Sequence, residues 1–294
     1  MLLAALAAMM VPFAACNQKV DYGKKNNVQI PAAKYGAQKF SLSHADFEEI
    51  EFTDGGYYVI TQKLATKAIN ESVQYFFGPY SVDGSAYILL NEKGQEFGRV
   101  TLGQNNSITI TTKNHGTIET TYTVVTPSVE NEFFTNIAHA WTVDKVDLSI
   151  TYNGKNVGIV EDGSNLEKIA EDLVQRAEEL GIEFSKEDFD TDALEGLGIT
   201  HIIFSSTNSF IICFTDGTAL KGDMGDIDLE WDEDDYGYGF EYAFEEEGND
   251  LLNTSGECVF TPKSATTAWL QLTVRRGDNF TGRVIFYMTV ADNK

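Results

Sequence analysis

The sequence is short of cysteine, of proline and of positive charge. Three cysteines in 294 residues leave no disulfide framework to organise a fold of this length. Lys and Arg number 21 against 45 Asp and Glu, a net charge of −24. That balance excludes a surface built to neutralise nucleic-acid phosphates, and it opposes broad contact with anionic lipid. No G-x-S-x-G motif occurs, and no glycine-rich phosphate loop opens a helix. His44, His115, His139 and His201 are scattered, with no H-x-x-H or H-E-x-x-H pair. Zinc therefore has little support, and each histidine is expected in a turn or on the surface. No residue is assigned a catalytic role, and enzyme activity is not the expectation. A carboxylate-pair hydrolase is the weakest of the open readings, since acids are abundant and their separation is a three-dimensional quantity.

Long hydrophobic runs are absent too. The longest, MLLAALAAMMVPFAAC over residues 1–16, spans only about 24 Å as a helix, short of a bilayer core of roughly 30 Å. It has the length of a signal-peptide core, and it ends in two alanines and Cys16 just before the chain turns polar. This ending resembles the lipobox of bacterial lipoproteins, in which the cysteine is acylated and becomes the new N-terminus. The resemblance implies a signal peptide over 1–15 and a lipid on Cys16. It also implies a place in the bacterial envelope, at the outer membrane, with the face left open. A buried N-terminal helix with an incidental cysteine is the alternative. Each buried methylene contributes about 0.8 kcal/mol, so two or three acyl chains would anchor firmly where one would not. Residues 16–39 then read as a solvated tether, with Lys19, Lys24, Lys25, Lys34 and Lys39 against Asp21 and no hydrophobic periodicity.

What is plentiful is strand-forming. Phe and Tyr number 19 and 13, and 43% of the chain is hydrophobic, enough for a substantial core in one large or two small units. Residues 40–127 read as a β module. FEEIEFT (47–53) and YYVITQ (57–62) flank Asp54-Gly55-Gly56, and Asp83-Gly84 centres a second hairpin. FGRVTL (97–102), SITITTK (107–113) and TIETTYTVV (117–125) follow. Residues 128–138 suggest a short helix, and 140–155 a single strand. A long amphipathic helix is expected over 165–180. Ser164 and Glu167 form its capping box, Leu166, Ile169, Ala170, Leu173, Ala177 and Leu180 its buried stripe, and Gly181 its C′ residue. Strands resume at Thr200 and run to the end, through HIIFSS, SFIICFT, YGYGFEYAF, ECVFT, TAWLQLTV and GRVIFYMTV. The tetrapeptide Phe-Thr-Asp-Gly occurs at 52–55 and at 214–217, which marks either a duplication or two ordinary turns.

Cys16, Trp141 in AHAWTVDKV, and IIFSSTNSFIICFTDGTALKG (202–222) together resemble the lipocalin-like lipoproteins of Bacteroides-type bacteria. The resemblance covers roughly 139–294, with a fainter echo in 40–127. It implies antiparallel sheets or a partial barrel, and a ligand-binding or scaffolding role without a settled activity. The fold expected is mainly β, with a lipocalin-like module over 128–294 and a helical insertion at 164–198.

Two constellations are candidate sites. Tyr236, Tyr238, Phe240, Tyr242 and Phe244 alternate along one strand and share a face. With Trp231 nearby, Tyr236, Tyr238 and Tyr242 are the candidates for lining a site for a carbohydrate or small apolar ligand; a core strand is the competing reading. From Asp223 to Asp250 there are thirteen Asp and Glu and no Lys or Arg. Asp226, Asp228 and Glu230 are the candidate calcium ligands there, against a plainly solvated face, because EF-hand spacing is missing. No other cofactor is expected. Arg276-Gly277-Asp278 is ordinary turn chemistry. Cys213 and Cys258 either pair or stay as two buried thiols. The leading function is a non-enzymatic binding module, and a structural or protein-interaction subunit is the alternative.

Overall fold

The computed structural model describes residues 30–291, apart from 32, 65–71, 92, 114–115, 126–136, 162–164, 182–196, 225–237, 245–253 and 277–279. Cys16 lies outside the described residues, as does all but the end of the segment 128–138.

Eight strands make the first unit: β1 (Gln38–Leu42), β2 (Phe47–Phe52), β3 (Tyr57–Leu64), β4 (Ser72–Asp83), β5 (Ala86–Leu90), β6 (Glu96–Leu102), β7 (Ser107–Thr112) and β8 (Gly116–Val125). Each pairs antiparallel with the next, and β8 returns to β1 with Val124 opposite Phe40, so the barrel closes. Period-two alternation produces this shape. In β7, Ile108 and Ile110 point inward while Ser107, Thr109 and Thr111 face outward. Closure leaves no edge strand to template association. The interior is filled by side chains. Phe52 stacks on Tyr87 at 3.8 Å and meets Phe40 and Tyr80 edge-on, among Ile50, Ile60, Leu89, Val100, Ile108 and Ile110.

The second sheet has nine strands: β9 (Ala140–Tyr152), β10 (Lys155–Glu161), β11 (Ile199–Phe204), β12 (Ser209–Phe214), β13 (Ala219–Met224), β14 (Tyr238–Phe244), β15 (Thr254–Pro262), β16 (Thr267–Arg276) and β17 (Phe280–Val290). β17 pairs with β9 from Phe280↔Tyr152 to Val290↔Trp141, which closes a ring through β11 to β17. On its other edge β9 serves two partners in turn. Ala140, Trp141 and Thr142 pair with β11, and Val146–Tyr152 pair with β10. The predicted single strand over 140–155 is in fact a hairpin. Asn153 and Gly154 both have positive φ, 48° and 76°, as a two-residue hairpin turn demands.

Where β9 passes from β11 to β10, a helix packs in. α1 (Leu166–Glu179) rests on β10 and contributes Ile169, Val174 and Ala177 to the core of the second barrel. Glu171, Gln175, Glu178 and Glu179 face water. Two details depart from expectation. The cap is Asn165, whose side chain accepts the Lys168 N–H at 2.9 Å, and Ser164 lies outside the described residues. Leu180 is exposed rather than buried, because it follows the last helical turn at the C-cap. Gly181 takes the left-handed φ of 66° expected at C′.

Several hairpins share one five-residue turn. The first N–H donates to the fifth carbonyl, the fourth N–H donates to the first carbonyl, and the fourth residue has positive φ. Thr53–Tyr57, Asn91–Gln95, Ser205–Ser209 and Phe214–Thr218 all follow this pattern. It settles the recurring Phe-Thr-Asp-Gly. Asp54 is the second residue of its turn and Asp216 the third of its own, so the two tetrapeptides do not superpose.

Candidate functional site

Buried titratable groups converge at one place, the junction between the barrels. The outward face of β2 carries Glu49 and Glu51, on the side of the strand opposite Ile50 and Phe52. In a lone barrel both acids would meet water. Here β12 and β13 of the second barrel cover them. Glu51 is 0% exposed, and its carboxylate accepts from Lys221 Nζ at 2.6 Å, from Ser209 Oγ at 2.8 Å and from Thr207 Oγ1. Lys221 also bonds Glu49, which pairs on its other side with Lys39 at 3.2 Å. Two anions and two cations thus alternate across the junction.

The electrostatics follow from that geometry. Burial alone would push the Glu51 carboxyl up, but the Lys221 ammonium and the hydroxyl donors overcome it and hold the group at about 2. Burial would likewise pull Lys221 down, yet Glu51 and Glu49 hold it well above its ordinary range. A carboxylate pair for hydrolysis needs a water-filled separation. Glu49 and Glu51 instead clamp one ammonium, and Glu51 has no access to solvent.

The turn between β2 and β3 completes the junction. Asp54 accepts the Ser206 N–H at 2.7 Å, the Ser206 hydroxyl at 2.9 Å and the Ala37 N–H at 3.1 Å. Desolvation nevertheless raises its carboxyl above the ordinary value. Gly55 lies so close to the second barrel that a Cβ there would stand 2.2 Å from the Ala140 nitrogen. Only glycine permits that approach. Beside it, Tyr57 and Val59 pack with Ala140, Ile203, Ile211, Cys213 and Ala219 in an apolar cluster shared by both barrels.

Two histidines expected on the surface or in turns are drawn into this junction, His139 buried and His201 half-buried. His201 Nε2 lies 3.2 Å from the Tyr57 hydroxyl, and its Nδ1 finds no partner among the described residues. His139 Nε2 donates to the Pro31 carbonyl at 2.9 Å. Burial pushes both imidazoles below the ordinary value; in His139 the Pro31 carbonyl and Asp54 only partly oppose this. The neutral forms are therefore the folded ones. Their contribution is intact above about pH 6.5 and declines below it, because the unfolded chain then binds more protons. Glu51 acts in the same direction lower down, between about 4.5 and about 2. Asp54 opposes them, since its raised carboxyl favours the folded state as the pH falls through its window. Denaturant midpoints are expected to fall from pH 7 to pH 5, and a His139→Gln/His201→Gln double variant is expected to flatten that slope.

The remaining candidates fall as follows. Cys213 and Cys258 are both free and buried, Cys213 in the shared cluster and Cys258 inside the second barrel, so the barrel wall separates them. Burial raises both thiols well above their ordinary range, which makes them inert. Trp231, Tyr236, Asp226, Asp228, Glu230 and Cys16 lie outside the described residues. Backbone pairing sets Tyr238 opposite Phe260 and Tyr242 opposite Gly256. Directly opposed residues share a face, and Phe260 belongs to the second core. Among the described residues no three His, Cys, Asp or Glu stand together as a metal site. The sequence held one unread signal for the junction: Lys221 is the only Lys or Arg between Lys186 and Lys263.

No protein-family profile matches the chain, and no curated protein sequence does. Among solved structures, isotype 1 transferrin binding protein B from serogroup B Neisseria meningitidis aligns at 10% identity and a TM-score of 0.24, over 87% of this chain and 43% of that one. The chain thus spans less than half the length of that protein. An outer membrane protein of Bacteroides fragilis NCTC 9343 aligns at 10% identity and a TM-score of 0.27, over 86% of this chain and 96% of that one. At these scores neither likeness bears on function.

Proposed function

We propose that this chain is a non-enzymatic binding module of a bacterial envelope. Acyl chains on Cys16 hold it there, and it meets a carbohydrate ligand on the outside of its barrels. The observation that carries the reading is the aromatic packing of both interiors among the described residues. Phe52, Tyr87, Tyr80 and Phe40 occupy the first barrel, and Trp141, Phe204, Phe210 and Phe260 pack together in the second. A ligand cavity normally needs hundreds of cubic ångströms of open space. The buried charges are also spent, since Glu51, Lys221 and Asp54 hold one barrel to the other. A second reading, a structural or protein-interaction subunit, draws support from the same coupling, which makes two barrels one rigid spacer.

The anchor is tested by mass spectrometry of the native product and by fractionation. The expected product begins at Cys16 and carries two or three acyl chains, and Cys16→Ser releases the protein from membranes. An intact unacylated leader, or a Cys16→Ser variant that fractionates unchanged, overturns the anchor. Binding is tested separately, by calorimetric titration of the full chain with a panel of oligosaccharides.

A further inference from the structure

The outer wall of the second barrel carries an aromatic and cationic spot that the junction does not use. Strand pairing lines up Trp269 on β16, Tyr287 on β17 and Lys145 on β9 in one row. Trp269 remains 36% exposed, among the most exposed of the large hydrophobic side chains described. Its ring meets that of Tyr287 at 5.1 Å and 66°, which forms a corner rather than a stack. A lysine stands over each ring: Lys263 Nζ is 3.7 Å from the indole centroid, and Lys145 Nζ is 4.5 Å from the phenol centroid. Two residues from Ile285 on the same outward face of β17 is Arg283, whose Nε is buried without a hydrogen-bond partner among the described residues.

The charges are out of keeping with the rest of the molecule. On a chain of net charge −24, neither Lys145 nor Lys263 has a carboxylate within ion-pair distance among the described residues. Asp147, two residues from Lys145 on β9, accepts from the Tyr287 hydroxyl, and Asp144 accepts from Thr289. Desolvation pulls Lys263 below its ordinary range, so its ammonium has given up water without gaining an anion. A half-exposed indole offers apolar ring surface, and the ammonium groups that stand over the two rings offer charge-assisted donors.

Resting on the binding-module reading above, we propose that Trp269 and Tyr287 form a binding site for an acidic sugar. The apolar face of a carboxylate-bearing pyranose takes the place of the two ammonium groups over the rings, and Lys263 and Lys145 turn outward to its carboxylate. The charge selects the ligand class: neutral sugars gain the ring contact only, and free small anions gain the lysines only. Arg283 extends the same wall by four residues along β17, about 13 Å, the reach of a second or third sugar unit.

The test is calorimetric titration of the full chain with oligosaccharides of glucuronic acid, of galacturonic acid and of N-acetylneuraminic acid. Each is paired with its carboxyl-reduced neutral counterpart. At least one acidic series is expected to bind at least tenfold more tightly than its counterpart, with affinity falling as salt rises. Trp269→Ala is expected to weaken binding at least tenfold and Lys263→Gln at least threefold, both with unchanged circular dichroism. Val124→Ala, on the first barrel, is expected to change nothing. Failure of every acidic series to bind, or binding unchanged in both Trp269→Ala and Lys263→Gln, overturns the site and leaves the binding-module reading standing. Cleavage of a bound oligosaccharide, lost with Trp269→Ala, overturns the non-enzymatic reading and leaves the site standing.

Discussion

Lys221→Met is expected to lower the stability of the whole chain by about 3–5 kcal/mol, because it strands a buried Glu51 without a counter-charge. The size follows from burial. Lys221 keeps 8% of its side-chain exposure and Glu51 none, so water cannot replace the lost partner. The hydroxyls of Thr207 and Ser209 remain, but two neutral donors do not neutralise a carboxylate. Adding Glu51→Leu should recover most of the loss, since an apolar pair of similar volume avoids the desolvation cost. The cycle separates the penalty of a stranded charge from the net worth of the pair. Urea denaturation followed by circular dichroism measures both. A Lys221→Met loss under about 1 kcal/mol would show that Glu51 reaches water, and the junction would then be a loose contact.

Trp141→Ala should cost a similar amount, about 3–5 kcal/mol, for a different reason. Trp141 is 0% exposed, and its ring meets Phe260 at 5.2 Å and His139 at 5.7 Å. Its indole N–H donates to the Ile137 carbonyl at 3.0 Å. Truncation leaves a cavity, and it removes one of the two donors to that carbonyl, which keeps the His139 N–H at 2.6 Å. Trp141 sits on β9 beside Ala140, the residue against which Gly55 packs. Damage to the second core therefore reaches the first barrel, and both should unfold in one transition. Separate transitions for the two barrels, or a loss under about 1 kcal/mol, would contradict this packing.

Much of this architecture was legible because strand alternation is a strong local signal. SITITT and GRVIFYMTV each show one buried and one open face, and both are strands with that alternation in the structure. The Asp-Gly turns were legible for the same kind of reason, since Gly84 and Gly217 adopt the positive φ those hairpins require. Asn153-Gly154 carried an equally strong turn signal, yet the flanking strand residues read straight through it, and β10 was missed. β13 was missed as well, because ALKGDM has too few apolar residues to alternate visibly. Barrel closure was beyond a local reading, since the pairings of β1 with β8 and of β9 with β17 join residues eighty or more positions apart.

The site was less legible than the fold. Glu49 and Glu51 read as the solvated face of a strand, and in an isolated barrel they would be that. Their burial depends on Lys221, 170 positions beyond Glu51, and no spacing rule links the two. His139 and His201 were misplaced for the same reason, since each loses solvent where the two units meet. Trp269 and Lys263 carry no motif either. Their meeting depends on the hairpin between β15 and β16, which brings the ammonium over the ring.

The central claim is that side chains fill the barrels, so that recognition takes place on their outer walls. Titration of the native full chain with a fluorescent long-chain fatty acid tests it most directly, because an open lipocalin-type barrel would take up such a probe. The account predicts no saturable uptake below the concentration at which the probe self-associates. One-to-one uptake that quenches Trp141 would contradict it.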